Sequence, residues 1–347
     1  MSFATRQPSP PLIAAPPAQA VVVGGAVVLA AALGLHLALG QGARMALLYL
    51  TGILLGLALY YASFGFTAAF RVMISDRRSA GIRAQMIMFA LACLLFFPAL
   101  AAGSAFGQPV GGFVFGIGPG VVLGSFMFGV GMQLGGGCGS GTLFATGGGN
   151  ARMLLTLIFF IVGSMAGFAH LPWWESQPGL PALSLVNLFG WLPALILNLA
   201  VFAALYFATR TLEQRRHGKV APITGWRGAE TQRPFLARHW PMVAGALALA
   251  VLNFATLLLA GRPWGITAAF PLWGASALQA IGVDVAQWPS WSDPFYRDWL
   301  AAGVLGDVTS VMDIGLMLGA AAAAGLSGEF RPSLRIPLRQ IATSIIG

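Results

Sequence analysis

Residues 135–142 read Gly-Gly-Gly-Cys-Gly-Ser-Gly-Thr, placing a thiol and two hydroxyls in a stretch with no charged side chain. Glycine at this density is costly inside a helix, so the stretch exposes backbone rather than continuing one. If a short helix begins near Ser140 or Thr142, its unpaired N–H groups, the glycine amides and the hydroxyls form a site for an anion without a fixed positive charge. The same residues also read as a tight turn between helices that holds an inert cysteine, because a free thiol commonly serves as a small buried hydrophobe. An activated nucleophile needs a neighbouring base or cation, and none lies within several residues of Cys138 along the chain.

The elements that position this stretch follow from composition. Of 347 residues, 57% are apolar and 8% charged, and the mean hydropathy is +0.80. Continuous apolar runs lie at about 19–40, 46–70, 84–102, 110–136, 153–171, 186–208, 240–260 and 311–327, and in lipid such runs must satisfy their own backbone as helices. The alternating ten-residue pattern of a membrane barrel is missing. The fold class is therefore an all-α integral membrane protein, a polytopic bundle with pseudo-repeated halves and re-entrant half-helices. Residues 1–18, rich in proline, read as a disordered tail. The membrane domain, 19–347, divides into a first half (19–208), a connector (209–239) and a second half (240–347). The segment 263–281, with Pro263, Gly265 and Pro271, is too irregular to span, and such interruptions in both halves point to a transporter or channel.

Basic residues set the orientation. Arg71, Arg77, Arg78 and Arg83, the seven Lys and Arg of 209–239, and Arg331, Arg335 and Arg339 all face the cytoplasm under the positive-inside rule, as does the N-terminus. This parity makes the Cys138 segment join 110–136 to 153–171 from the cytoplasmic end, and its lack of charge suits a re-entrant course. The net charge of +9 is scattered over short loops, so nucleic acid is excluded as a partner and membrane lipid is the implied surroundings.

Other residues are read more plainly. Gly112, Gly116, Gly120 and Gly124 recur every fourth residue and predict a helix-packing face, bent at Pro119. Cys93 is core filler. Arg71 snorkels to headgroups, and Asp313 caps a helix or pairs inside the membrane, capping being preferred. Glu329 and Arg331 are loop charges. Met127, Met132 and Gln133 are candidates for a path lining, with core packing preferred for the methionines. His36, His170, His217 and His239 lack metal-site spacing; no metal, cofactor or catalytic residue is expected, and no ATP-binding loop occurs.

Three stretches carry a family resemblance. GMQLGGGCGSGTLFATGGG (131–149) resembles the signature of the YeeE/YedE sulfur-transport family, SFGFTAAFR (63–71) is similar to its first-repeat motif, and DIGLMLGAAAAAGLSGEFRP (313–332) resembles the lead-in to its second Gly-Cys turn. The resemblance covers about 46–347. It implies inner-membrane import of a small sulfur anion, thiosulfate being the best supported, through half-helices that meet near mid-membrane, with cysteines touching the sulfur. On this chain the implied path residues are Cys138, Gly136, Gly137, Gly139, Ser140, Thr142, Gly65 and Thr67, and a cytoplasmic sulfurtransferase is a candidate partner. Gly65 stands where the family carries a first-motif cysteine. The chain ends before the family's second Gly-Cys turn, so the second half is expected to be incomplete. The alternatives are a membrane sulfurtransferase using a persulfide on Cys138, or a non-transporting membrane subunit.

Overall fold

The structure, a computed structural model, describes residues 17–224 and 237–347. Residues 1–16 of the expected disordered tail and 225–236 of the connector lie outside the described residues. The helices, in chain order, are α1 (Ala20–Gly40), α2 (Ala43–Ala62), α3 (Phe66–Asp76), α4 (Ala80–Ala102), α5 (Pro119–Gly135), α6 (Gly139–Gly147), α7 (Ala151–Ala169), α8 (Leu171–Glu175), α9 (Leu185–Phe189), α10 (Trp191–His217), α11 (Met242–Ala260), α12 (Ala269–Ala280), α13 (Pro294–Gly306), α14 (Val308–Leu326) and α15 (Leu338–Ile346). Strand structure among the described residues is confined to a two-residue hairpin at Ser104–Pro109 and a bridge between Ile117 and Leu180. Eight helical stretches are long and apolar enough to cross a bilayer, so the protein is an all-α polytopic membrane protein.

The core centres on α14. Met312 and Leu316 are fully buried together with Leu55 of α2, Leu143 of α6 and Phe270 of α12. Large apolar side chains such as Val28, Leu39 and Phe126 are left outward, where lipid would cover them. Glycine decides the closest contact. A Cβ on Gly52 or Gly56 of α2 would lie 2.3 or 2.0 Å from the carbonyl oxygen of Met312 or Leu316, and one on Gly319 of α14 would lie 2.1 Å from that of Ile53. Two four-residue glycine spacings, Gly52/Gly56 and Gly315/Gly319, thus face each other, and the order of these contacts makes α2 and α14 run in the same direction.

Several sequence expectations are corrected. Run 110–136 is not one helix: residues 110–118 are non-helical, tied to Leu180 through Ile117, and α5 starts with Pro119 in its first turn. Proline there starts the helix rather than bending it, since its missing N–H and fixed φ suit a first position. The four-residue glycine ladder is broken with it. Gly112 and Gly116 lie outside the helix, Gly120 packs on Trp174, and Gly124 faces open space. Run 46–70 is interrupted at residues 63–65, where Ser63 is left-handed and Gly65 extended before α3 begins.

Part of the arginine-rich end is internally paired. Glu213 of α10 accepts the Ser79 and Ala221 N–H groups, each at 3.0 Å, and faces Arg78 at 3.4 Å and Arg83 at 3.7 Å. A buried carboxylate so surrounded ties α4 and the 219–222 segment to α10.

Candidate functional site

Helix α5 ends where its glycines begin. Gly136 takes a left-handed φ of 88° and donates its N–H to Met132 O at 3.1 Å, a conformation that only glycine adopts without strain. Gly137 and Cys138 follow in the gap, and Cys138, extended at φ −80° and ψ −176°, is the N-cap of α6. The helix expected near Ser140 or Thr142 therefore begins one residue after the cysteine. Its first amides have no intrahelical acceptor and no side-chain cap, which leaves them for a ligand or water.

The side chains of this turn are tightly set. Cys138 Sγ lies 3.5 Å from Ser140 Oγ and is half-buried, and the Cys138 carbonyl accepts Thr142 N–H at 2.8 Å. A Cβ on Gly137 would stand 2.8 Å from Thr142 Oγ1 and 3.0 Å from Thr142 N, so close approach requires glycine there, while one on Gly139 would press at 3.0 Å on the Thr267 methyl. Thr142 is fully buried, and its Oγ1 makes no hydrogen bond. The expected group of Gly136, Gly137, Cys138, Gly139, Ser140 and Thr142 is thus one compact turn. Gly139 also places it against the irregular segment 264–267, which interrupts the second half.

The first motif joins this turn through α5. Gly65 caps the start of α3, where it lines a cavity of about 660 Å³ shared with Phe64, Ala68, Arg78, Gln85 and Lys219. Thr67, two residues on, is buried with its Oγ1 unbonded. Gln133 Nε2 donates to Thr67 O, and Arg71 donates through Nε to Gln133 Oε1 and through NH2 to Gln133 O at 2.7 Å. Arg71 is therefore a strut between α3 and α5, not simply a snorkelling cation.

Sequence reasoning missed Arg152. It follows the glycine-rich 147–149 in the chain, and the fold returns it to the Cys138 turn: its guanidinium nitrogens lie 3.6 Å from the Cβ position of Gly136. It donates to Leu134 O at 3.0 Å, Thr343 Oγ1 at 3.2 Å and Ser344 Oγ at 3.4 Å, without a carboxylate partner among the described residues. A fixed positive charge does attend the turn, contrary to the sequence expectation. Arg71 and Arg152 hold the adjacent carbonyls of residues 133 and 134, where a helix C-terminus favours cations.

Asp313 is also corrected. Asp307, not Asp313, caps α14, accepting Ser310 N–H at 2.7 Å and Ser310 Oγ–H at 2.8 Å. Asp313 lies within the helix, fully buried, and accepts Trp264 Nε1–H at 3.2 Å. Glu329 is not a free loop charge either: Tyr60 donates to it at 3.4 Å and His239 lies 3.2 Å away. Among the described residues no cluster of His, Cys, Asp or Glu is arranged to hold a metal ion.

The family profile described as sulphur transport matches residues 61–347, which include both motifs and the Cys138 turn. This chain belongs to the sulphur transport (YeeE/YedE) family. A curated relative, the thiosulfate transporter TsuA of Spirochaeta thermophila, is 25% identical over 328 residues, covering 86% of this chain and 82% of that protein. A member of this family with eight candidate spans is a multi-pass membrane transporter of sulfur compounds.

Proposed function

We propose that this member of the sulphur transport family takes up a small sulfur-containing anion, thiosulfate foremost, past the Cys138 turn, from the inner membrane and with its N-terminus cytoplasmic. The observation that carries the reading is that Cys138 stands at the uncapped start of α6, with the Arg152 guanidinium beside Gly136 two residues before it. Thiosulfate has a soft terminal sulfur and a hard trio of oxygens. A polarizable thiol suits the first, and helix N-terminal amides with a nearby cation suit the second. The curated relative's name supports the choice of anion.

The path in this reading runs by Gly136, Gly137, Gly139, Ser140 and Thr142, continues by Thr67, which Gln133 joins to α5, and reaches the cavity that Gly65 lines with Arg78 and Lys219. Glycine at 65 leaves that stretch wider than a cysteine would. Moving each negative charge inward against an inside-negative potential costs about 2.3 kcal/mol per 100 mV, so uptake requires a compensating cation or trapping of the product.

Uptake of radiolabelled thiosulfate into vesicles containing the full chain tests the reading. Unlabelled thiosulfate should compete at least tenfold better than sulfate, which lacks the terminal sulfur. Equal competition by sulfate, or no protein-dependent uptake, contradicts it.

A further inference from the structure

Among the described residues, a fully buried carboxyl lies within a membrane-spanning helix and has no part in the substrate turn. Asp313 sits in the second turn of α14 and is fully buried. One oxygen, Oδ1, receives the Trp264 indole N–H, while Oδ2 is buried with no hydrogen-bond partner. A bare carboxylate oxygen in such a place is far costlier than a neutral carboxyl, and no arginine, lysine or histidine is bonded or ion-paired to it among the described residues.

The groups around it come from every packed element. On α14 itself Asp307 lies six residues earlier, close enough to act on it electrostatically, and is occupied by Ser310 and by Arg262 at 3.8 Å. Helix α2 presents Tyr49, whose hydroxyl is buried and unbonded, and further along Tyr60 and Tyr61; its Arg44 is exposed. His36 of α1 and Arg297 and Asp298 of α13 are exposed. Helices α6 and α12 bring no charged side chain, only Cys138 at the α6 cap. A buried carboxyl with one oxygen free of hydrogen bonds and no cation paired with it among the described residues suits a proton.

The position connects this carboxyl to the substrate turn. Trp264, which holds Oδ1, is two and three residues from Ile266 and Thr267, and these two pack directly on Gly139 at the start of α6. One short segment thus joins the group that holds Asp313 to the residue beside Cys138.

We infer that Asp313 is a proton-binding site that couples anion passage to proton movement: Oδ2 takes a proton from one side of the membrane and releases it to the other, with Trp264 and the 265–267 segment linking its state to the Cys138 turn. This inference rests on the transport reading. Each proton carried inward offsets one of the two negative charges of a thiosulfate anion, halving the electrical cost of its entry.

The test uses the full chain in liposomes with an imposed pH gradient, radiolabelled thiosulfate and a pH-sensitive dye in the lumen. The wild type should accumulate the anion on external acidification with acidification of the lumen. Asp313→Asn should lose gradient-driven accumulation at least tenfold while still exchanging internal for external thiosulfate, and Asp313→Glu should restore part of the coupling. Equal gradient-driven uptake by wild type and Asp313→Asn, or wild-type uptake without proton movement, overturns the proton site and leaves the transport reading standing. Absence of any wild-type uptake sinks the transport reading instead. Infrared spectroscopy then judges the site by itself: a protonated-carboxyl stretch at neutral pH that Asp313→Asn removes supports it, and its absence from the wild type overturns it even if the asparagine variant fails to fold.

Discussion

Gln133 and Thr67 are joined by a hydrogen bond of 3.3 Å, from the amide of one to the backbone carbonyl of the other, across the junction of α5 and α3. Arg71 completes the joint by donating to both the side chain and the main chain of Gln133. This places the first motif's helix in a fixed relation to a point five residues before Cys138. Gln133→Ala removes both side-chain links at a cost of about 1 kcal/mol each. It is expected to lower thiosulfate uptake several-fold while shifting the melting temperature in detergent only slightly. Unchanged uptake would show that the joint does not serve the path.

Arg152 is expected to set affinity rather than folding. A hydrogen bond to a charged group contributes about 1.5–3 kcal/mol, so Arg152→Gln should raise the KM for thiosulfate roughly tenfold or more by that range. Arg152→Lys keeps the charge but loses the forked geometry, and is expected to fall between the two. Concentration-dependent uptake at two ionic strengths checks this, since the difference between wild type and Arg152→Gln should shrink as salt rises.

Gly137→Ala tests the turn's geometry. The added Cβ would stand 2.8 Å from Thr142 Oγ1 and 3.0 Å from Thr142 N, so part of the conflict is with backbone that cannot swing aside. Overpacking of this kind costs about 1–3 kcal/mol. Uptake should fall at least tenfold, and the double variant Gly137→Ala/Thr142→Ala should recover little of it. Full recovery would locate the conflict in the hydroxyl alone.

The packing of α2 on α14 gives a paired stability prediction. Gly56→Ala drives a methyl to 2.0 Å from Leu316 O and is expected to destabilise by about 1–3 kcal/mol or to disrupt the interface outright. Gly124→Ala adds a methyl into open space within α5 and should be neutral or stabilising by up to about 1 kcal/mol. Thermal unfolding of the two purified variants, side by side, compares them. Equal melting temperatures would refute the close approach of α2 and α14.

These contrasts also mark what the sequence made legible. The Cys138 turn was readable because three consecutive glycines inside an apolar run have no other inexpensive use, and the helix start fell one residue from where Ser140 indicated it. The interruption at 263–281 was readable from its prolines and glycine. The α2–α14 contact was not: Gly52/Gly56 and Gly315/Gly319 each have the packing period, but nothing along the chain pairs two segments some 260 residues apart. The more conspicuous ladder at 112–124 misled, because apolar Val110–Gly118 has a helix's composition although Pro119 dictates where helix can begin. Arg152 escaped for a related reason. Its distance from Cys138 along the chain is fourteen residues, and only the return of α7 beside the end of α5 brings the charge back. Asp313 was visible as an intramembrane acid, but Asp307, the residue that in fact caps α14, was not weighed against it.

The central claim is that the Cys138 thiol meets the passing anion at the start of α6. Initial rates of radiolabelled thiosulfate uptake by wild type, Cys138→Ala and Cys138→Ser in the full chain, at equal protein incorporation and with matched melting temperatures, test it most directly. The account predicts that Cys138→Ala reduces uptake by at least a hundredfold and that Cys138→Ser, which keeps a small polar group but loses the soft sulfur, stays far below wild type. Wild-type rates in a correctly folded Cys138→Ala protein would contradict it.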